Sequence, residues 1–330
     1  MAAPADISVA TRTRRSSRVS SLYVTAGAGM TITQTLRRKW LAFSYYAGGY
    51  PRPGAVLRWG MWAVRCLLRQ PAVVTIERLG LRLYLEPQWS GCWKPIYVFR
   101  DRFFELADPE LQFMQQTLRP GDVFLDVGAF HGWYALVASR IVGERGYVLA
   151  FEPNPDTFAI LTRNIVLNNC RNVQAFNVAL SSADGTVSLF KGPNDGAMSS
   201  LALVPDSTGQ VQVTARRLDS LLEELHIRHV DFIKADIHGG EANLFHGAIG
   251  LLRGSLPVIV FELAPQAARD MGVPETEAWN LLAGLGYSFF RLSASALEPV
   301  REFPVVAGGA FLNINIIAIP DRRELAGAAR

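Results

Sequence analysis

The stretch that most constrains this 330-residue chain is residues 122–154, DVFLDVGAFHGWYALVASRIVGERGYVLAFEPN. An apolar run through Val127 stops at a glycine loop, Gly128 to Gly132. A helix-like segment follows, and a second apolar run ends on Glu152. Strand, glycine turn, helix, strand, acid is the order by which a doubly wound α/β domain holds the ribose of a nucleotide-like cofactor.

The rest of the chain agrees with an α/β reading. Apolar, β-rich runs at 122–127, 147–151, 173–178, 232–237, 258–263, 287–292 and 313–319 are mostly separated by helical patterns. Seven such runs predict a largely parallel sheet covered by helices on both faces. Between the third and fourth lies an interruption, 185–218. It holds two alternating segments, 186–190 and 211–216, around a Gly/Pro/Asp/Ser loop at 192–209, and reads as a β-hairpin insertion. Loops of that length in a compact domain are often functional, and two readings stand for this one, with Met198-Ser-Ser200 in it: it closes over the acceptor, or it is a surface excursion.

Ahead of Pro120-Gly121 the chain reads as an extension. Residues 1–29, rich in Ala, Ser, Thr, Gly and Arg, read as a disordered basic tail. Met30 is an alternative start. Residues 30–118 form a helical and β-hairpin extension, with helix-like stretches at 35–46 and 54–70 and two short strands within 73–85. Residues 119–330 form the catalytic domain. In the 54–70 helix Leu57, Met61, Val64 and Leu68 make an apolar stripe opposite Arg58, Arg65 and Arg69. Two readings stand: the apolar stripe packs on the catalytic domain, or the helix rests on a membrane surface. The first seventy residues carry eleven Arg and Lys against Asp6, so the net charge of +4 divides into +10 there and −6 in the remainder. The basic part has none of the motifs of a nucleic-acid reader, and its partner is an anionic or membrane-associated one. Three scattered cysteines, Cys66, Cys92 and Cys170, fit neither a disulfide framework nor a metal cluster. With no signal-peptide pattern and no long apolar run, a cytoplasmic enzyme is expected.

Three features separate the possible cofactors. The turn lacks the G-x-G-x-x-G of a dinucleotide site and the Lys-Ser/Thr of a phosphate loop. Asp126, just before the turn, would repel a pyrophosphate but suits a ligand carrying an ammonium and a sulfonium. S-adenosylmethionine is such a cofactor. Gly128 and Gly132 let the backbone approach it, and Glu152 has acceptor capacity for both ribose hydroxyls.

Five blocks then occur in order: DVGAFHGWYALVAS, FEPNPDTFAILTRNIVLNN, NVALSSADGTVSLF, LDSLL and DFIKADIHGGEANLFHGA. Together, over roughly 122–266, they resemble the FkbM family of S-adenosylmethionine-dependent methyltransferases. The resemblance implies a class I methyltransferase, Rossmann-like fold with a seven-stranded sheet, and methyl transfer to a hydroxyl oxygen. It implies Asp126, Gly128, Ala129 and Gly132 against the methionine part, and Glu152 on the ribose followed by Pro153 and Asn154. Asn177, Ala179 and Leu180 would border the adenine. The family turn usually reads DVGAN, whereas Phe130-His131 follows the alanine here. The later block usually reads K-x-D-x-E-G-x-E, and here His238 stands where the first glutamate is expected.

Chemistry in an open α/β sheet sits beyond the carboxyl ends of the strands. That places Asp236, His238 and Glu262 at the acceptor cleft, with Glu241 on the next helix facing it. His238 is the candidate general base, since imidazole titrates near neutrality, with a helix cap or solvent-facing residue as the bland alternative. Asp236 would orient cofactor or acceptor. His131 is a weaker candidate at the same mouth, whereas His226, His229 and His246 look peripheral. Asp236, His238, Glu241 and Glu262 suit a divalent ion by type, but nothing in the sequence fixes them at coordinating distance, and no metal is expected. The expected function is O-methylation of a small molecule or glycan. A catalytically silent cofactor-binding module and a nicotinamide-dependent oxidoreductase are the alternatives.

Overall fold

The computed structural model describes residues 53–87, 90–101, 109–192, 199–202, 207–293, 296–304 and 314–321. The 1–29 tail and the 35–46 helix lie outside these residues, as do parts of the 192–209 loop.

The chain opens with α1 (Pro53–Leu68), then an antiparallel hairpin of β1 (Ala72–Ile76) and β2 (Leu81–Leu85), then α2 (Ser90–Phe99) and α3 (Pro109–Thr117). Alternation of βs and αs begins at β3 (Val123–Val127), α4 (Trp133–Val142), β4 (Tyr147–Phe151), α5 (Pro155–Leu167) and β5 (Val173–Phe176). Next come β6 (Ala179–Leu180), β7 (Gly185–Lys191), β8 (Gly209–Arg216), α6 (Leu218–Glu224), β9 (Phe232–Ala235), α7 (Glu241–His246) and α8 (Ile249–Ser255). The chain ends with β10 (Val258–Leu263), α9 (Pro265–Asp270), α10 (Glu277–Gly284), β11 (Tyr287–Ser293), β12 (Ala296–Val300) and β13 (Ile314–Pro320).

The main sheet runs β12-β11-β13-β10-β9-β3-β4-β5. The five strands from β10 to β5 are parallel, and β13 lies antiparallel between β10 and β11. Each of the seven expected runs contains a strand, but among the described residues the sheet has eight. The eighth, β12, pairs antiparallel with β11 along the edge. Its sequence, ALEPV, shows no buried alternation and contains Pro299, which only an edge strand tolerates, so it reads as loop. The third run also ends early, at Phe176. After Asn177 and Val178 the chain leaves the main sheet, and β6 pairs with β8 in a small sheet of order β6-β8-β7. The expected hairpin insertion is therefore present as β7 and β8, in register from Gly185↔Ala215 to Lys191↔Gly209.

Alternate residues of each parallel strand pack on opposite faces. Phe124, Val148 and Phe232 point into one core, and Leu125, Leu149 and Ile233 into the other. The first core is continuous with the extension, through Trp62, Ile76, Leu83 and Trp93. Two asparagines, Asn164 of α5 and Asn168 at its C-cap, bind the hairpin to this layer. The buried Asn164 accepts from the Tyr84 N–H at 2.7 Å and donates to the His131 carbonyl at 2.9 Å. Asn168 accepts from the Arg82 N–H at 2.8 Å and donates to the Arg82 carbonyl at 2.6 Å, as a neighbouring strand would.

Helix α1 is oriented opposite to the packed-stripe reading. Leu57, Met61, Val64 and Leu68 face outward. The arginine side faces inward: Arg58 Nε donates to the Val98 carbonyl at 2.7 Å and Arg65 Nη1 to the Pro71 carbonyl at 2.7 Å. The reason is Trp62, which is buried on that side with its ring 5.0 Å from Tyr97. No helix among the described residues is long and apolar enough to cross a membrane.

Replacing Asn164 by alanine leaves a backbone N–H and a carbonyl without their buried partner. The expected loss is about 1–3 kcal/mol, read as a lower urea midpoint at unchanged slope. A wild-type midpoint would show that Asn164 does not hold the hairpin.

Candidate active site

The carboxyl ends of β3, β4 and β9 open onto one cleft of about 590 Å³, its open mouth included. Its floor is Gly128, Phe130, Glu152 and Pro153. One wall is Asp236 to His238, and the opposite side is Ala179 and Leu180 with Leu189 and Ser199 to Leu201 of the insertion.

The turn after β3 has one shape open to it. Gly128 has φ 78°, and a Cβ there would come 2.2 Å from the Asp236 carbonyl oxygen, so any larger residue would push β3 and β9 apart. The Gly128 and Ala129 N–H groups both donate to the Phe151 carbonyl, at 3.0 and 2.9 Å. Phe130 follows in a left-handed conformation, φ 50°. Its N–H donates to Glu152 Oε2 at 2.8 Å, while the Asn154 N–H donates to Glu152 Oε1 at 2.8 Å. Glu152 is thus the clasp of the turn as well as part of the floor, and burial pushes its pKa up. Its carboxylate lines the cleft and has acceptor capacity beyond these N–H groups.

Asp126 lies one layer behind the cleft. It is buried, and its Oδ2 accepts from the Ala135 N–H at 2.9 Å, which fixes the first turn of α4. Burial pushes its carboxyl up to about 7, against the pull of Lys234 and of that N–H. Ala129 and Gly132 also stand behind the lining, and a Cβ on Gly132 would come 2.7 Å from Leu161 Cδ1. Asn154 caps α5 by accepting from the Asp156 N–H and reaches the insertion through Nδ2, 3.1 Å from Ser199 Oγ. Asn177 donates to the carbonyls of Glu152 and Pro153, at 2.8 and 2.9 Å, and so shapes the edge of the cleft without lining it. Of the expected cofactor residues, Gly128, Glu152, Pro153, Ala179 and Leu180 line the cleft directly.

At the chemical end, His238 Nδ1 lies 2.9 Å from Glu262 Oε2 and 3.8 Å from Asp236 Oδ1. Asp236 Oδ2 accepts from Lys234 Nζ at 2.9 Å. Although burial works against ionisation, Lys234 and then His238 hold the Asp236 carboxyl down to about 2. Asp236 Oδ1 is enclosed yet has no hydrogen-bond partner. His238 has φ 51°, and its carbonyl accepts from Ser200 Oγ at 2.8 Å. Asp236, His238 and Glu262 each offer one ligand atom within 4.8 Å of the others.

Two expectations are corrected. Glu241 does not face the cleft. It is buried beneath the turn, accepting from the Ile237 N–H at 3.2 Å and the Gly239 N–H at 2.9 Å. Burial, then the charge of Glu262, pushes its carboxyl up to about 8. His131 is not at the mouth either. Its ring packs edge-on to Trp93 at 4.3 Å and to Phe130 at 4.7 Å, and burial lowers its pKa to about 3. His229 and His246 sit at the surface against Asp231 and Glu277.

The residue that sequence reasoning passed over is Lys234. Its ammonium is buried at the end of β9, bonded to Asp236 and 4.8 Å from the Tyr134 ring centre. Burial lowers its pKa, but Asp236 and Asp126 outweigh that and raise it. A lysine inside an otherwise apolar strand core, FIKA, is the signal that could have found it.

The residues present fit S-adenosylmethionine. The carboxylates of Glu152 and Asp236 meet in one cleft, the first with acceptor capacity for a ribose and the second with an unpartnered oxygen suited to a cationic ligand.

Residues 126–289 match the methyltransferase FkbM domain. Among curated proteins the chain is 30% identical over 148 residues to Methyltransferase 1 of Beauveria bassiana, covering 39% of this chain and 59% of that one. It is 26% identical over 209 residues to Methyltransferase sdnD of Sordaria araneosa, covering 54% of this chain and 75% of that one. It is 29% identical over 163 residues to the Hexuronic acid methyltransferase AglP of Haloferax volcanii, covering 49% and 65%. The matched part thus spans less than two thirds of the first and third of these relatives. The domain match covers β3 through the middle of β11, the same strands whose ends build the cleft, and on that ground the chain belongs to the FkbM family of S-adenosylmethionine-dependent methyltransferases.

Proposed function

We propose that the protein transfers a methyl group from S-adenosylmethionine to a hydroxyl oxygen of a glycan or small natural product. The observation that carries this reading is His238 on the cleft wall, backed by Glu262, which stands behind the lining 2.9 Å from Nδ1. A hydroxyl is a poor nucleophile until it loses its proton, so an O-methyltransferase gains from a base beside the acceptor. The kinship with AglP, named a hexuronic acid methyltransferase, supports a sugar hydroxyl as one acceptor class.

When bound, S-adenosylmethionine supplies an electrophilic methyl group on sulfur. Glu152 would hold its ribose and Asp236 its cationic end. His238 works through its two nitrogens. With Nδ1–H donating to Glu262, the tautomer is set and Nε2 is the nitrogen that would take the acceptor proton. The carboxylate also stabilises the imidazolium that results. Asp236 adds a second negative charge 3.8 Å from Nδ1. The insertion excludes water from the side opposite the strands through Leu189 and Leu201.

His238→Ala is expected to bind S-adenosylmethionine in isothermal titration as the wild type does, and to lose about 10²–10⁴-fold in turnover. Glu262→Gln should lose less, since Nδ1 keeps a hydrogen-bond partner. Turnover by His238→Ala equal to wild type would remove the histidine from the mechanism.

Lys234 already places a positive charge on Asp236, so the Asp236–His238–Glu262 group is expected to work without a divalent ion. Activity in a strong chelator should equal that without it. Activity that disappears and returns with added magnesium or manganese would make these three residues metal ligands.

A further inference from the structure

Helix α1 inverts the usual surface helix. Its charged residues point inward and its outward face is apolar. Arg58 and Arg65 are tied to α2 and to the chain after α1. Ala55 and Trp62 are buried beside them, and Lys94 of α2 lies over the Trp59 ring at 4.3 Å. On the opposite side, Val56, Leu57, Met61, Val64, Leu67 and Leu68 are between 45% and 82% exposed. The exposed positions between them are Gly60 and Ala63, so the face carries no charge and no hydrogen-bonding side chain over four turns. A contiguous apolar face of this kind on a folded chain marks a contact surface.

Charge identifies what it contacts. The 52 residues that run directly into this helix carry eight Arg and Lys against Asp6 alone, and Arg69 follows at its other end. A second copy of the chain would bring the same positive segment against its own. An anionic lipid surface offers acyl chains to the stripe and negative headgroups to the segment. Each signal alone gives weak attachment, and the two together give stable binding.

We propose that α1 is an interfacial helix, lying on an anionic membrane with its Leu57–Met61–Val64–Leu68 face inserted and the basic residues ahead of it on the headgroups. The attachment is peripheral, as the 16-residue helix is too short to span a bilayer. It also stands close to the chemistry. α1 packs on α2, and Trp93 of α2 stacks on Phe130 of the cleft floor at 5.9 Å. Docking would therefore bring the cleft within one helix layer of the lipid surface, whatever its acceptor, and the inference does not rest on the reading of His238.

The test is co-sedimentation of the full chain with vesicles of phosphatidylcholine alone, or of phosphatidylcholine mixed with phosphatidylglycerol. Binding is expected to the mixed vesicles, with about tenfold less to phosphatidylcholine alone and a steep fall on adding salt. A Leu57→Glu, Val64→Glu, Leu67→Glu triple variant should keep its circular dichroism and its S-adenosylmethionine binding, because all three side chains are exposed, and lose vesicle binding by about tenfold or more. Wild-type chain that stays in the supernatant with the mixed vesicles overturns the proposal. So does a triple variant that sediments like wild type. Light scattering that finds a wild-type dimer and a monomeric triple variant would also overturn it, by showing that a second copy covers the face.

Discussion

One buried charge organises the centre of the molecule. Lys234 sits in β9, a strand enclosed on both faces, with its ammonium bonded to Asp236 and set against the Tyr134 ring of α4. An ammonium taken out of water alone costs several kcal/mol. Here Asp126 of β3 and Asp236 at the end of β9 supply the opposite charge. Asp126 also holds the Ala135 N–H at the start of α4. β3, β9 and α4 are thus set around one cation, bonded to Asp236 and attracted at longer range by Asp126. The glycine turn lies between them, and Gly128 can rest against the Asp236 carbonyl because those elements are fixed so closely. Removing the ammonium would leave Asp126 and Asp236 to repel each other with no nearby cation, a larger penalty than the loss of one hydrogen bond.

The same cation divides the acids of the site into two kinds. Asp236, in direct contact with Lys234, stays ionised down to about pH 2. Asp126 and Glu241, buried without a cation in contact, rise to about 7 and 8. They act mainly as acceptors for backbone N–H groups: Ala135 for the first, Ile237 and Gly239 for the second. The negative charge is therefore concentrated where the cleft is open, at Asp236, and reduced where the acids serve as internal supports. A cleft built to hold a cationic ligand needs that asymmetry, since a uniformly ionised set of buried carboxyls would destabilise the fold.

How far the sequence was legible follows from the range of each interaction. The parallel strands, the turn at Gly128 and the acid at Glu152 are local patterns, and strand periodicity with its terminal residues reports them directly. The insertion was visible as two alternating segments around a long loop. The orientation of α1 was not, because stripe arguments count apolar residues and the deciding contact is one tryptophan against Tyr97, 35 positions further on in sequence. β12 was hidden because an edge strand has no buried face to set an alternation. His131 was misplaced because a ring packed between Trp93 and Phe130 depends on a helix from the extension. At the site, sequence reasoning brought the strand-end acids and His238 together. It could not tell which of them line the cleft and which stand behind it, since that depends on φ angles and on side-chain direction after the strand ends.

The left-handed backbone at His238 shows how the insertion and the strand ends act together. A non-glycine residue at φ 51° carries a conformational cost of about 1–2 kcal/mol, and it persists only where neighbours hold it. Glu241 holds the N–H groups on either side, at Ile237 and Gly239, and Ser200 holds the His238 carbonyl from across the cleft. Ser200 is itself fixed to β7 by paired backbone hydrogen bonds with Phe190, at 2.9 and 3.0 Å. The imidazole is therefore aimed by two elements at once: α7, which belongs to the sheet domain, and the insertion, whose Leu189, Ser199 and Leu201 line the cleft. Changes in the insertion would alter both the shape of the cleft and how well His238 is held. In this arrangement the insertion touches both halves of the cleft, through β6 and Ser199 on one side and through the Ser200–His238 hydrogen bond on the other.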